Sequence, residues 1–239
     1  MPGGGAYRRC CSLEDMVKAG NRAYGGPGDI PAVIPIFPLS GALLLPRAEL
    51  PLNIFEPRYV AMIDAALAGD RAIGMIQPDE SKPDLSQGPS LSRVGCVGRL
   101  TAMSETGDGR YMVTLTGIAR FTVVEEVPAP TLFRQCRVST TQFACDFATD
   151  PDETVDRDAV MSSFRAYLSA HNLDADWDSV NRATSETLVN ALAMMAPFGA
   201  VEKQALLEAP NLKARAETLV ALTKMTLAGE PGSSGQPLQ

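Results

Sequence analysis

Two arginines of this 239-residue chain stand where chemistry is hardest to avoid, because each sits inside an apolar run. Arg58 lies in Phe55-Glu56-Pro57-Arg58-Tyr59, and Arg120 in Leu115-Thr116-Gly117-Ile118-Ala119-Arg120-Phe121. A guanidinium buried without a partner is costly, so such positions imply a charge pair or a bound carboxylate. Glu56 is the candidate partner. In one reading the pair locks two elements of the fold together; in the other, the arginines contact a peptide carboxylate or an acidic side chain. Met194 and Met195, with Leu188, Leu192, Phe198 and Leu206, add a second candidate. Such a stripe is either core or an adaptable apolar groove of the kind promiscuous binders use.

Other chemistries find less support. The one histidine, His171, must serve every His-dependent scheme, and it falls at the end of an expected helix, where a cation complements the helix dipole. A Cys96/His171 pair has nothing to orient it, and no G-x-S-x-G elbow is present. Asp174-Ala175-Asp176-Trp177-Asp178 imitates the first ligands of a calcium loop. Ser179 then replaces the turn glycine and Ser185 the bidentate glutamate, so helix capping by solvated acids is expected instead. Asp150, Asp152, Glu153, Asp156 and Asp158 read in the same way, as an acidic first turn. The chain contains no Gly-Lys dipeptide and hence no G-x-x-x-x-G-K-[ST] phosphate loop. No nucleotide, metal or other cofactor is implied, and no catalytic residue is assigned.

The elements that must position these residues change character along the chain. Proline-punctuated apolar pieces at Ala32–Leu39 and Ala42–Leu45 come first, with Pro35, Pro38, Pro46 and Pro51 confined to strand edges or ends. A helix follows from Pro57, burying Tyr59, Ile63, Ala66 and Leu67 and stopping at Gly69. Ala72–Gln77, Val94–Met103, Tyr111–Thr116, Arg120–Glu126 and Gln135–Thr141 read as strands, with a glycine-rich hairpin turn at 105–110. After Asp150 the apolar period becomes helical. Val155, Val160, Phe164 and Leu168 mark the first of four helices, and Asn211 caps the last. The fold class is α+β. Residues 1–28 are expected as a flexible leader, with Met16 a second possible start, 29–149 as a β-rich barrel, 150–228 as a helical part and 229–239 as a disordered tail.

Composition bounds the partners. A net charge of -7 with only scattered lysines disfavours nucleic acid, since that binding draws on clustered cations. No apolar run approaches the ~20 residues that span a bilayer. Five cysteines without a C-x-x-C pair or a signal peptide fit a cytoplasmic protein with reduced thiols.

The order of Ile36-Phe37-Pro38-Leu39, Pro46, Leu50-Pro51-Leu52, Phe55-Glu56-Pro57-Arg58-Tyr59, Gln77, Val94-Gly95, Leu115 to Phe121, and Glu202 to Glu208 followed by Arg215 resembles the N-terminal substrate-binding domain of the Lon protease family. The likeness covers roughly 30–228. It implies a PUA-like β-barrel with an inserted helix, followed by a C-terminal helical bundle. In the proteases that module helps recognise unfolded or damaged polypeptide. Glu56-Pro57 looks more like stand-alone members, which lack the ATPase and peptidase parts. The resemblance therefore implies non-enzymatic recognition of unfolded or degron-bearing polypeptide, by strand addition at a proline-marked edge or by apolar anchoring. Phe55, Glu56, Arg58, Tyr59, Arg120, Met194, Met195 and Phe198 are the candidate contact residues. An adaptor docking on a protease or other assembly is the alternative, and RNA binding a weaker one.

Overall fold

The computed structural model describes residues 16–84, 88–148 and 155–229. Eight strands and six α-helices follow in order: β1 Val17–Ala19, β2 Arg22–Tyr24, β3 Val33–Pro38, β4 Glu49–Ile54, α1 Pro57–Ala68, β5 Ala72–Pro78, β6 Leu91–Glu105, β7 Tyr111–Val127 and β8 Arg134–Ser139. A short 3-10 segment, Thr141–Phe147, leads into the helices α2 Arg157–Ala170, α3 Trp177–Arg182, α4 Ser185–Met195, α5 Ala200–Glu208 and α6 Leu212–Gly229.

The main sheet runs β4-β7-β6-β5-β3-β8, and β8 pairs again with β7, which closes a barrel and leaves β4 hanging on its side. Closure depends on the length of β7. Its first half pairs with β4 and its last part with β8, while β6 runs along Tyr111 to Thr122 and meets the β8 pairing at Thr122. The sequence reads this stretch as two strands, but it is one 17-residue strand with its register shifted near Gly98 and Gly117. A Cβ on Gly117 would lie 2.0 Å from the Leu45 carbonyl oxygen, so only glycine lets the strand bend against that segment.

Proline placement follows the ladder. β3 has neighbours on both sides, but β8 pairs with residues 33–36 and β5 with 36–38. Pro35 thus needs a partner on one side only, which a residue without an N–H can satisfy. Ala42–Leu45 forms no strand; Leu43, Leu44 and Leu45 are buried between barrel and helices. Side chains serve its backbone instead: Gln77 Oε1 accepts from the Gly41 amide at 2.9 Å and Gln77 Nε2 donates to the Ala42 carbonyl at 2.9 Å.

Two expectations are corrected. The leader is not wholly apart from the fold, because β1 and β2 form an antiparallel hairpin whose Val17, Ala19 and Tyr24 join the barrel core with Ile34, Ile118 and Phe121. Alternating apolar residues in Val17-Lys18-Ala19 supply one buried face. Residues 1–15 and 230–239 lie outside the described residues. Among the described residues the helical part has five helices rather than four, since Asp176 starts the extra α3 by accepting from the amides of Asp178 and Ser179 at 3.1 and 3.3 Å. That capping uses the carboxylate that the calcium-loop spacing singles out.

The remaining helix ends agree with the sequence. Asp156 and Asn211 cap α2 and α6, and His171 ends α2 with its ring 4.4 Å from that of Tyr167. Asp150, Asp152 and Glu153 lie outside the described residues. A second, larger apolar cluster joins α1 to the barrel wall and to α4, α5 and α6, through residues such as Leu44, Tyr59, Leu115, Val189 and Leu206. Barrel and helices therefore share one core.

Candidate functional site

Among the described residues, β4 is the strand of the six-stranded sheet that pairs along one side only, with β7. The Gly117 amide donates to the Ala48 carbonyl at 2.8 Å, which fixes the parity of the β4–β7 ladder. Residues 50, 52 and 54 turn their backbone groups toward β7, whereas Glu49, Pro51 and Asn53 turn theirs outward. Pro51 has no N–H to offer, so the edge presents two donors and three carbonyls over ~13 Å. All three outward residues are exposed.

Apolar side chains flank that edge at both ends. At its start, a groove of about 320 Å³ runs between Arg47–Glu49 and the face of α4 that carries Thr187, Asn190, Met194 and Met195. Met195 is 73% exposed, and Met194 is half-buried. At its end stands Phe55, 61% exposed. Beyond Phe55, Glu56 and Arg58 pair at 2.7 Å on the surface, and the Arg58 guanidinium lies 4.5 Å from the centre of the Tyr59 ring. Tyr59 is buried against Phe37, with ring centroids 4.2 Å apart, and burial pushes its hydroxyl pKa up.

The candidate residues thus divide. Phe55, Glu56 and Arg58 surround one end of the edge strand, and Met194 and Met195 the other. Phe198 is buried in the shared core, so its place in the stripe is structural. Arg58 is not buried, and the expected need for a partner falls on Arg120 alone.

Arg120 is 2% exposed, and its partner is Asp146 rather than Glu56. Asp146 Oδ2 accepts from Arg120 Nε and from the Arg120 amide, each at 2.9 Å, and Oδ1 accepts from Nη2 at 2.7 Å. Nη1 donates to the carbonyls of Leu207 and Ala209 at 3.2 and 2.5 Å. Burial opposes the charge, but the hydrogen bonds and attraction to Asp146 prevail and hold the guanidinium pKa above its ordinary value. With those donors engaged inside the protein, Arg120 ties the barrel to the α5–α6 corner. Sequence reasoning missed Asp146; its signal is a lone carboxylate between Cys145 and Phe147 in an otherwise uncharged run.

Arg120 belongs to a wider polar junction. Arg47 forms a fork with Glu186, Nε donating to Oε1 and Oε2 at 2.8 and 2.9 Å, and reaches the Asp146 carbonyl through Nη1 at 2.6 Å. Asn190 donates to the Pro46 carbonyl at 3.1 Å, and Lys203 to the carbonyls of Gly41 and Met194 at 2.7 and 3.2 Å. Asn190 and Lys203 thus carry helix side chains onto the carbonyls of Pro46 and Gly41, which no strand serves, while Arg47 reaches from that loop to α4 and to the 3-10 segment. Cys96 is wholly buried in the core and burial drives its thiol pKa up, the opposite of what a nucleophile needs. Among the described residues, no three His, Cys, Asp or Glu side chains gather as metal ligands, and no helix is long and apolar enough to cross a membrane.

Comparison with known proteins agrees with this architecture. The family model of the ATP-dependent protease La (LON) substrate-binding domain matches residues 33–224. A Lon protease of Flavobacterium johnsoniae is 26% identical over 211 residues, 84% of this chain and 26% of its own length. Lon protease 2 of Myxococcus xanthus is 32% identical over 99 residues, 41% of this chain and 12% of its own length. The chain thus spans about one eighth to one quarter of these relatives. Two solved structures share the fold. The N-terminal domain of a Mycobacterium avium complex Lon protease superposes with a TM-score of 0.57 at 17% identity, covering 80% of this chain and 98% of that one. A Lon N-terminal domain protein from Xanthomonas campestris gives 0.55 at 20% identity, covering 79% and 97%. With the matched segment running from β3 into α6, across the barrel, the free edge and the helices, the chain belongs to the LON substrate-binding domain family.

Proposed function

We propose that this protein recognises polypeptide without cleaving it, holding an extended, unfolded segment along the free edge of β4. The carrying observation is the coincidence of an unpaired strand edge with exposed apolar side chains at both its ends, Met195 and Phe55. Main-chain hydrogen bonds to Glu49 and Asn53 would supply sequence-independent affinity, and the methionine groove an adaptable anchor. Pro51 interrupts the edge, which limits self-pairing between copies while leaving room for a short guest. Family membership supports a Lon-like recognition role. The absence of a phosphate-loop motif from the sequence and the buried, high-pKa Cys96 support a non-catalytic one. The acidic charge supports protein over nucleic acid as partner, and the free Cys96, Cys136 and Cys145 among the described residues support a cytoplasmic setting.

The test is binding of a reduced, carboxymethylated unfolded protein, followed by hydrogen exchange at the Glu49 and Asn53 amides. Protection of both on binding is expected. Asn53→Pro removes an outward donor without touching the β7 ladder, and should weaken binding at least about tenfold with unchanged stability, for a lost bond of ~1.5 kcal/mol. Unchanged affinity in both Asn53→Pro and Met195→Glu would refute this placement. A folded partner is the second reading, favoured by Val201, 78% exposed and a few residues beyond Met195 in sequence.

A further inference from the structure

The junction behind the methionine groove holds a cation that the fold leaves unpaired. Arg215, on α6, is 4% exposed. Its Nε donates to the Leu206 carbonyl at 3.0 Å and its Nη1 to Asn190 Oδ1 at 3.2 Å, but both acceptors are neutral. Among the described residues Nη2 has no partner, and no carboxylate pairs with the guanidinium. The other buried arginine of the junction, Arg120, has Asp146 to itself. Asp146 and Glu186 attract the guanidinium without bonding to it, so Nη2 is a donor left open to a group from outside.

Arg215 forms part of the lining of a cleft of about 390 Å³ at the barrel–helix junction. Three guanidiniums, Arg47, Arg120 and Arg215, line it against two carboxylates, Asp146 and Glu186, which leaves one positive charge in excess. The N-terminal turns of two long helices also open onto it, α4 through Thr184 and Ser185 and α6 through Asn211 and Leu212. Both present the positive end of their peptide dipoles. The exposed residues Cys145, Thr184 and Asn211 form the rim, with Asp146 and the two buried arginines beneath them. Burial and the nearby Arg120 charge depress the Arg215 pKa to about 10 against a partial restoration by Asp146 and Glu186, so the guanidinium stays charged at neutral pH.

We propose that this cleft is an oxyanion-binding site, with Arg215 as the unpaired donor at its base and the first turns of α4 and α6 at its walls. The group it takes is a carboxylate or a phosphate-like anion. Two sources share that chemistry. The cleft and the methionine groove have Arg47 and Glu186 in common, so a polypeptide lying in the groove could place its C-terminal carboxylate here. A free anion is the other source. Only the first rests on the polypeptide reading given above.

The experiment follows sodium phosphate against sodium chloride at matched ionic strength, and a hexapeptide of alternating leucine and alanine as free acid against its C-terminal amide. The readouts are the melting midpoint, calorimetric affinity, and the alkylation rate of Cys145 resolved by peptide mass spectrometry. Phosphate at ten times its Kd should raise the midpoint by about 3–6 °C and slow Cys145 alkylation. Asn211→Asp and Thr184→Asp keep good N-caps but set a carboxylate on the rim, so they should fold normally and lose both effects. No difference between phosphate and chloride together with no peptide preference for the free acid, or equal anion effects in wild type and both N-cap variants, would overturn the site. Acid binding at least tenfold tighter than amide assigns it to polypeptide C-termini. Phosphate binding with both peptides bound alike supports a free-anion site and leaves the β4 reading standing. Phosphate binding with neither peptide bound supports the anion site while the hexapeptide evidence goes against the groove.

Discussion

Replacing Asp146 by Asn removes the charge opposite Arg120 while keeping the side chain's volume. The guanidinium would stay charged even though the variant removes the Asp146 attraction that now raises its pKa, because arginine's ordinary value lies far above neutral pH. Arg120 is 2% exposed and Asp146 5%, so water cannot take the carboxylate's place. Three hydrogen bonds to the carboxylate would weaken, and one amide oxygen would have to serve where two charged oxygens do. Breaking a buried pair by removing one partner costs about 3–5 kcal/mol. Against a total stability of ~5–15 kcal/mol, that is a third or more of the whole for a mid-range protein, and a fall in Tm of about 6–20 °C at this size. Urea unfolding followed by circular dichroism measures it as a drop in midpoint at constant slope. The double variant Arg120→Met with Asp146→Leu removes both charges, and should recover most of the loss. A cost below about 1 kcal/mol for Asp146→Asn, or a double variant as unstable as the two single losses summed, would refute the coupled lock.

Gly117→Ala should cost about 3 kcal/mol or more, because the added methyl meets the Leu45 carbonyl at 2.0 Å where neither backbone can yield; thermal unfolding checks it. Lys203→Met should destabilise by about 1–3 kcal/mol by leaving the Gly41 and Met194 carbonyls without their donor, read by the same urea titration. Glu126 is held below its ordinary carboxylate pKa of 4.5 by its hydrogen bonds with Arg134. A depressed pKa gives stability that is present above 4.5 and lost as pH falls through the folded value, so Glu126→Gln should be less stable than wild type at pH 7 and approach it in acid. A constant gap from pH 7 to pH 2.5 would contradict that origin.

Much of the site's setting could be read from residue order, and the reasons are local. Pro57 at a first helical turn, with Tyr59, Ile63 and Ala66 at helical spacing, specifies α1 and its buried face. Gly107 and Gly109, both at positive φ, specify the β6–β7 hairpin. Asp156 and Asn211 mark helix starts through their own side-chain acceptors. The β1–β2 hairpin is not legible in the sequence because its buried residues, Val17, Ala19 and Tyr24, come in strands of three residues, too short to show a period.

The pairing of charges was the part that local pattern could not carry. The sequence shows that Arg120 sits among apolar neighbours and needs an acceptor, but Glu56 and Asp146 satisfy that need equally well on paper. Chain closure decides between them. The β7–β8 pairing brings the Thr141–Phe147 segment across β7 beside Arg120, while α1 carries Glu56 to the surface with Arg58. The free edge has the same origin. Pro51 announces an edge strand, but which edge is left open depends on β8 returning to β7 and so closing the other side. From the sequence alone come the α+β class, the barrel-then-helices order, the family, and the need for a buried counter-charge. Only the tertiary structure fixes which residues face each other, because long-range register depends on where long strands bend and close, and no short stretch of sequence encodes it.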